Sequence, residues 1–325
     1  MRTRMALLIV MTVAASPAAA GNYRWIAPDG SVSYSDNPPR VNATTVVPVA
    51  PPPPVAIPAP ALELERLPAG PAASVEEILH ISGLTRQIGG LSASLIAELK
   101  APPSFSSKER AAIERVAERY FHRDRLLGSI TEELRRRQDQ PRLNGVAAWL
   151  RSPLGQKITA LEIAASLAGS AGRPGPASAA PPARMALIER LDWLGGLTES
   201  RLDAIVVIAR ATAISVAGVM PPEQRKTPPQ IERDLERARG QMRPAVEEAT
   251  RQHLLQLYAT LDDTELERLA AFMSSESGRW YSGVMSRALT QAIGAAATEA
   301  ARAMVGVVPA ERWRALAMAP PSAPR

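Results

Sequence analysis

One nine-residue stretch occurs twice in this chain and constrains its fold more than any other feature. Residues 147–155 read AAWLRSPLG, and residues 270–278 read AAFMSSESG. Each occurrence predicts a helix that ends in an aromatic and a long apolar residue. A serine then caps the next helix, and a glycine follows where the chain turns. The sequence therefore indicates a helical protein built on an internal repeat.

The two aromatic residues of the repeat, Trp149 and Phe272, fall near these predicted helix–helix corners. A large ring at a corner typically fills the space between two crossing helices, and stacking on a ligand is the alternative. Gly155 and Gly278 lie at the turns. We interpret all four residues as structural or interaction residues and expect no catalytic role for them.

A second match supports the repeat, because residues 89–94 (GGLSAS) resemble residues 195–200 (GGLTES) and the two matches occur in the same order. Each glycine inside a helix costs about 1 kcal/mol relative to alanine. We therefore expect both glycine pairs to mark a shared helix break or a close helix contact. A phosphate-cradling loop is the alternative, but no predicted strand precedes the glycines and no lysine follows at the P-loop spacing.

The first 20 residues have the layout of a secretory signal peptide. Arg2 and Arg4 precede an apolar run, and Ala18-Ala19-Ala20 ends the segment, so we expect cleavage after Ala20. The run is well short of the roughly 20 apolar residues that span a membrane. No cysteine follows the run, which excludes a lipoprotein anchor. The mature protein is expected to be soluble in the periplasm.

Composition adds limits on stability and on partners. The chain has 325 residues and no cysteine, so disulfides cannot stabilise it. The net charge is +6, and only four of the 38 basic residues are lysine. We attribute the arginine excess to a GC-rich bacterial genome rather than to phosphate recognition. It gives a mild preference for anionic envelope partners, and we predict no nucleic-acid partner.

Residues 22–39 predict a β-hairpin. Tyr23 and Trp25 alternate along one strand, Asp29 and Gly30 supply the turn, and Tyr34 follows on the second strand. An isolated hairpin is marginally stable in water. We therefore expect either a third strand near residues 44–47 or a docking surface elsewhere.

The same stretch resembles the domain of unknown function 4124 family, a short module that follows the signal peptide of many proteobacterial envelope proteins. The residues that match its pattern are Tyr23, Trp25, Asp29, Gly30, Tyr34, Ser35, Asp36, Pro38 and Pro39. The resemblance covers about 20 residues. It implies an envelope location and no known activity.

The domain order follows from these signals and from two proline-rich spacers. We predict a signal peptide (1–20), a hairpin module (21–47), a Pro-rich linker (48–73), a first helical copy (74–167), an Ala/Gly/Pro linker (168–183), a second helical copy (184–308) and a tail (309–325). The fold class is therefore mainly all-α: two related helical-bundle copies behind a small β-hairpin module.

Three local features of the helical copies lead to further expectations. The apolar run 204–220 is predicted to be a buried core helix, because Arg210 interrupts it; a membrane span is the alternative. Pro244 should kink or split the helix that contains it. His80 lies on an apolar helix face, so we expect it in the core.

The second helical copy is similar to the domain of unknown function 2059 family, whose members are helical envelope proteins. The matching residues are Thr264, Glu265, Leu266, Leu269, Phe272, Ser275, Gly278 and Arg279. The first copy matches the family at fewer positions. The resemblance implies an all-α periplasmic protein with no established reaction.

The sequence contains no recognisable reaction centre. It has no cysteine, and His80, His122 and His253 are dispersed along separate helices. We predict no catalytic residue, metal or cofactor. The expected function is protein–protein or envelope-component binding, or scaffolding. Peripheral binding to a membrane surface through basic amphipathic helices and an uncharacterised enzyme are the alternatives.

Overall fold

A computed structural model describes residues 23–26, 32–35, 45–48, 72–99, 105–168 and 180–318. The first three ranges are the strands β1 Tyr23–Ile26, β2 Val32–Ser35 and β3 Thr45–Pro48. Strand β1 pairs antiparallel with both others, so the sheet order is β2-β1-β3. Trp25 lies opposite Ser33 on β2 and Val46 on β3.

Beyond residue 71, the described part of the chain contains helices and no strand. This confirms the all-α prediction for this part of the chain. The first six helices are α1 Val75–Ile81, α2 Leu84–Glu98, α3 Ser107–Tyr120, α4 Arg123–Arg136, α5 Gln140–Arg151 and α6 Pro153–Ala168. After residue 179 come α7 Pro182–Gly195, α8 Leu197–Val219, a 3₁₀ turn Pro222–Gln224, α9 Pro228–Leu257, α10 Asp263–Ser274, α11 Glu276–Val307 and α12 Ala310–Met318.

Side-chain caps explain why several helices begin where they do. Ser106 and Glu109 form a capping box at the start of α3, and Asp262 and Glu265 form one at the start of α10. In each box the two side chains satisfy backbone N–H groups that have no partner within the helix. The acidic residues around Asp262 therefore serve to start a helix.

Helix α11 lies at the centre of the molecule. It is 32 residues long and packs against α8 along one side and against α3, α4 and α5 on others. Its buried residues include alanines at every fourth position: Ala288, Ala292, Ala296 and Ala300. Such a ridge of small side chains lets neighbouring helices approach closely.

Helix α8 is the one described helix that is long and apolar enough to span a membrane. Helices α11 and α9 both pack against it. Arg210, which interrupts its apolar run, binds Glu232 of α9 through two hydrogen bonds of 2.8 and 2.7 Å. Helix α8 is thus held among other helices, and its charged residue has a partner.

The expectation for His80 is wrong, and of the two outcomes expected at Pro244 the split does not occur. His80 is exposed, because Val75, Ile78 and Leu79 form the buried face of the short helix α1. Pro244 does not split its helix, since α9 continues through it to Leu257. Buried residues on both sides of Pro244 hold α9 against its neighbours, and these contacts offset the backbone hydrogen bond that proline removes.

The glycine pairs also differ from expectation, because they do not occupy equivalent places. Gly196 ends α7 with φ +58°, whereas Gly90 lies inside α2, where an added Cβ would be 2.3 Å from the carbonyl oxygen of Ser166. The structural counterpart of Gly196 is Gly83, which joins α1 to α2 with φ +67°. Only glycine adopts these left-handed conformations without strain.

The predicted C-terminal tail contributes to the core. Residues 310–318 form α12, and Trp313 on this helix is 5% exposed. Its ring meets Phe105 edge-to-face, with centroids 5.4 Å apart. The helical body therefore extends beyond residue 308.

Candidate functional site

The repeated stretch builds the same corner twice. Ser152 lies between α5 and α6, and its hydroxyl accepts a hydrogen bond from the N–H of Gly155 at 3.0 Å. Ser275 lies between α10 and α11, and its hydroxyl accepts from the N–H of Gly278 at 3.1 Å. Helices α5 and α10 each contain 12 residues and each begin after an aspartate cap. The two corners therefore share their helix length, caps and turn.

Both corners require glycine. A Cβ on Gly155 would lie 2.0 Å from the carbonyl oxygen of Trp149, and a Cβ on Gly278 would lie 2.0 Å from that of Phe272. The obstructing atoms belong to the backbone of the preceding helix and cannot rotate away. The turn to the next helix is consequently too tight for any side chain at these positions.

The aromatic residues of the two corners stack on each other. The rings of Trp149 and Phe272 are 4.5 Å apart and inclined by only 5°. Such a pair contributes about 0.5–1.5 kcal/mol beyond the area it buries. Contact between equivalent residues is the property expected at a two-fold axis. The stack therefore places the two corners face to face.

Two ion pairs cross between the corners, and each starts from the first helix of one corner. Arg142 on α5 binds Glu276, the first residue of α11, at 2.6 Å. Glu265, at the equivalent position of α10, binds Lys157 of α6 at 2.7 Å. These side chains are partly exposed, so water screens each pair and its contribution to stability is small. Their main consequence is to fix how the corners face each other.

Beyond the corners, the helix that follows each corner packs into the core of the other half of the helical body. Leu154 and Ile158 of α6 pack in a cluster with α7, α10 and the end of α9. The buried face of α11 packs in a cluster that includes residues of α1 to α5. Trp149 contacts both clusters. The two predicted copies therefore share their cores.

A partly buried carboxyl lies along this shared core. The hydroxyl of Tyr258, just after α9, donates a hydrogen bond of 3.1 Å to a carboxyl oxygen of Glu162 on α6. Burial raises the pKa of Glu162 to about 7, and the hydrogen bond from Tyr258 offsets part of this effect. Burial also raises the pKa of Tyr281, on α11 near Glu162, to about 12. A carboxyl that titrates near neutrality suits proton transfer or a pH response.

The Glu162–Tyr258 pair has almost no signal in the sequence. The local signal was a single glutamate within the apolar segment ALEIAA of α6. Its partner is 96 residues away, so helical periodicity could not identify it. Within the described part of the chain, no group of three or more metal-binding side chains is close enough to hold a metal ion.

A second polar cluster joins α8 to α9. Arg239 is 4% exposed and binds Glu199 and Asp203, and Arg243 also binds Glu199. Burial opposes the charge of Arg239, but the two carboxylates outweigh it and raise the pKa of this guanidinium. The cluster is balanced within the protein, so its role is to hold the two helices together.

The predicted residues of the N-terminal module are only partly described. Tyr23 and Trp25 lie on β1, and Tyr34 lies on β2 opposite Arg24. Asp29 and Gly30 lie outside the described residues. The structure thus brings Trp149, Gly155, Phe272 and Gly278 together at one place, whereas the aromatic residues of the module belong to a separate segment.

Comparison with known proteins identifies the N-terminal segment. A family described as Domain of unknown function (DUF4124) matches residues 9–62. The match confirms the resemblance of the N-terminal module. No curated protein and no solved structure matches the chain.

Replacing Gly278 by alanine should destabilise the helical body by about 1–3 kcal/mol, because the new methyl group overlaps backbone atoms of Phe272 and Met273. The measurement is the free energy of unfolding from urea titration. Gly240→Ala is the matched control. An added Cβ meets nothing within 4 Å at this exposed position of α9, so alanine should stabilise the protein by about 0.5–1 kcal/mol. Equal effects of the two substitutions would contradict the corner geometry.

Replacing Glu162 by glutamine should remove a pH dependence of stability. The folded state holds the Glu162 proton more tightly than the unfolded state, where the carboxyl titrates near 4.5. The free energy of unfolding of the wild type should therefore fall as pH rises from 4.5 to about 7, by up to about 3 kcal/mol. Glutamine still accepts the hydrogen bond from Tyr258 but cannot ionise.

The measurement is urea unfolding of wild type and Glu162→Gln across this pH range. The two proteins should have similar stability at the acidic end, and the variant should be more stable above neutrality. Glu98→Gln, at an exposed position of α2, is the control and should follow the wild type. A variant that keeps the wild-type pH profile would show that Glu162 does not titrate between 4.5 and 7.

Proposed function

We propose that this protein is an exported, non-catalytic binding or scaffolding protein of the bacterial cell envelope. A small N-terminal β-hairpin module recognises a partner, and a helical body carries the module. The observation that carries this proposal is the match of the DUF4124 family to residues 9–62, on the N-terminal side of the helical body that begins near residue 72.

The N-terminal sequence supports export. Two arginines, an apolar run and an Ala-x-Ala site ending at Ala20 form the order that a secretory signal peptide requires. The absence of cysteine from the sequence means that the protein folds without disulfide formation after export. Periplasmic location is part of the proposal on these grounds.

The helical body is, in this proposal, two copies of one unit related to the domain of unknown function 2059 family. Five features support the duplication: the left-handed glycines Gly83 and Gly196, the equal lengths of α5 and α10, the serine caps, the corner glycines and the stack of equivalent aromatic residues. The residue pattern 264–279 supports the relationship to that family.

The linker gives the module its reach. Residues 48–73 are rich in proline and include Pro51-Pro52-Pro53-Pro54. Such a sequence favours an extended polyproline II chain of about 3.1 Å per residue, so residues 49–71, between β3 and the helical body, could extend to about 70 Å. The module can then engage one partner while the helical body holds another, which raises the effective concentration of each.

Export is tested by replacing Ala20 with leucine. The residue before the cleavage site must be small, so Ala20→Leu should block cleavage and accumulate the precursor. Ala19→Leu, at the variable position of the Ala-x-Ala site, should be processed normally. Mass spectrometry of the cell fractions should find the wild-type protein in the periplasm, beginning at Gly21. A full-length wild-type protein in the cytoplasm would exclude export.

Recognition by the module is tested by crosslinking in the periplasm followed by affinity capture. The mature protein should capture a partner that a form lacking residues 21–40 does not, because that form lacks the hairpin. A form lacking residues 52–71 is the matched control. It loses the same number of residues from the linker and should capture the same partner.

The capture experiment has two contradicting outcomes. If the form lacking residues 21–40 captures the same partner, recognition belongs to the helical body. If no partner crosslinks to any form, the binding proposal fails, whatever the outcome of the export experiment.

A further inference from the structure

Three arginines interact with one buried carboxylate where α4 ends beside α11. Glu133 of α4 is 2% exposed and is bound by Arg136 at 2.7 Å and by Arg137. Arg287 of α11 also interacts electrostatically with Glu133. We name Arg136, Arg137 and Arg287 the arginine cluster. It brings three positive charges to a single buried negative charge.

The packing of α4 on α11 explains why Arg287 lies there. An ion pair of 2.7 Å between Arg125 and Glu299 joins the start of α4 to the later part of α11. Arg137 is twelve residues beyond Arg125, and Arg287 is twelve residues before Glu299. Because both helices rise 1.5 Å per residue, an antiparallel arrangement brings Arg137 and Arg287 to the same level.

The charges of this group do not balance. In the part of the chain that the structure describes, the other carboxylate within ion-pair distance of these arginines is Glu132, which lies 3.6 Å from Arg136 and whose side chain is 77% exposed. Three guanidinium groups therefore face one buried carboxylate and one that water screens strongly. Arg239 offers a contrast, since two carboxylates bind it directly.

Arg287 is the arginine of the cluster that has a buried hydrogen-bond donor without an acceptor. Its Nε atom is buried and donates no hydrogen bond within the described part of the chain. Burial, followed by the charge of Arg137, lowers the pKa of Arg287, and Glu133 only partly compensates. A buried donor without an acceptor usually indicates a missing water, ion or ligand. Here an anion would relieve both the charge and the repulsion between the arginines.

We infer that the arginine cluster binds a phosphate group. The side chains of Arg136 and Arg137 are 62% and 43% exposed, so the cluster opens to solvent, whereas the Nε atom of Arg287 is buried. Guanidinium groups that arrive from two helices suit a tetrahedral anion, whose several oxygens can accept from different directions. A planar carboxylate can be bound through both of its oxygens by a single guanidinium group. The inference does not depend on export or on the N-terminal module.

The test measures phosphate binding to the wild type and to Arg287→Met. Methionine keeps the apolar stem and removes the charge, and Glu133 keeps Arg136 and Arg137 as partners, so the variant should fold. Equilibrium dialysis with labelled inorganic phosphate at constant ionic strength should show saturable binding of one phosphate by the wild type. Binding to Arg287→Met should be at least about tenfold weaker, as expected when hydrogen bonds to a charged group are lost.

Arg302→Met is the matched control, because Arg302 is an exposed arginine of the same helix. It should bind phosphate as the wild type does. Arg136→Met gives a second, exposed substitution within the cluster and should also weaken binding. Phosphate should raise the thermal unfolding midpoint of the wild type and of Arg302→Met but not that of Arg287→Met. No saturable binding, or equal binding by Arg287→Met and Arg302→Met, would overturn the inference.

Vesicles distinguish a lipid headgroup from a soluble phosphate compound. Phosphatidic acid carries a phosphate monoester, whereas phosphatidylglycerol carries a diester. Both are mixed into phosphatidylcholine vesicles at equal charge density. A lipid headgroup is supported if the protein binds phosphate, prefers phosphatidic acid vesicles, and loses this preference in Arg287→Met. Phosphate binding without such a preference supports a soluble phosphate compound.

Discussion

The stack of Trp149 on Phe272 is the contact on which the arrangement of the helices depends. Equivalent residues of two corners meet there, so the corners must face each other, and the helices that leave them point into opposite halves. Helix α6 enters the cluster formed with α7 and α10, and α11 enters the cluster formed with α1 to α5. Neither half has a complete core alone. The helical body should therefore unfold as one cooperative unit.

This exchange of helices between the two halves explains why glycine occurs at the corners and alanine occurs along α11. The corner glycines allow the chain to turn within van der Waals distance of the preceding helix. The alanine ridge of α11 then admits several neighbours around one helix, where larger side chains would force them apart. A chain with 4% aromatic residues builds its core from many close backbone approaches rather than from a few large rings.

Local patterns in the sequence predicted local features well. The helical class and the serine-capped corners at Ser152 and Ser275 both follow from residues within one or two turns of each other. The errors have the same origin. His80 and Pro244 were judged by their own helix, although distant packing decides whether a face is buried or a helix continues. The Glu162–Tyr258 pair and the arginine cluster join residues from distant parts of the chain, so no spacing rule could reveal them.

The three polar clusters differ in whether the protein itself satisfies them. Arg239 is bound by two carboxylates and needs nothing from solvent, which is typical of a structural ion pair. Glu162 has one hydroxyl partner, and its burial favours the protonated form, so a proton completes that site. Arg287 has a buried donor without an acceptor beside a second arginine, so an anion would complete that one. The sites at Glu162 and Arg287 are therefore where the helical body can respond to its surroundings. The ion pairs of Arg239 hold α8 and α9 together.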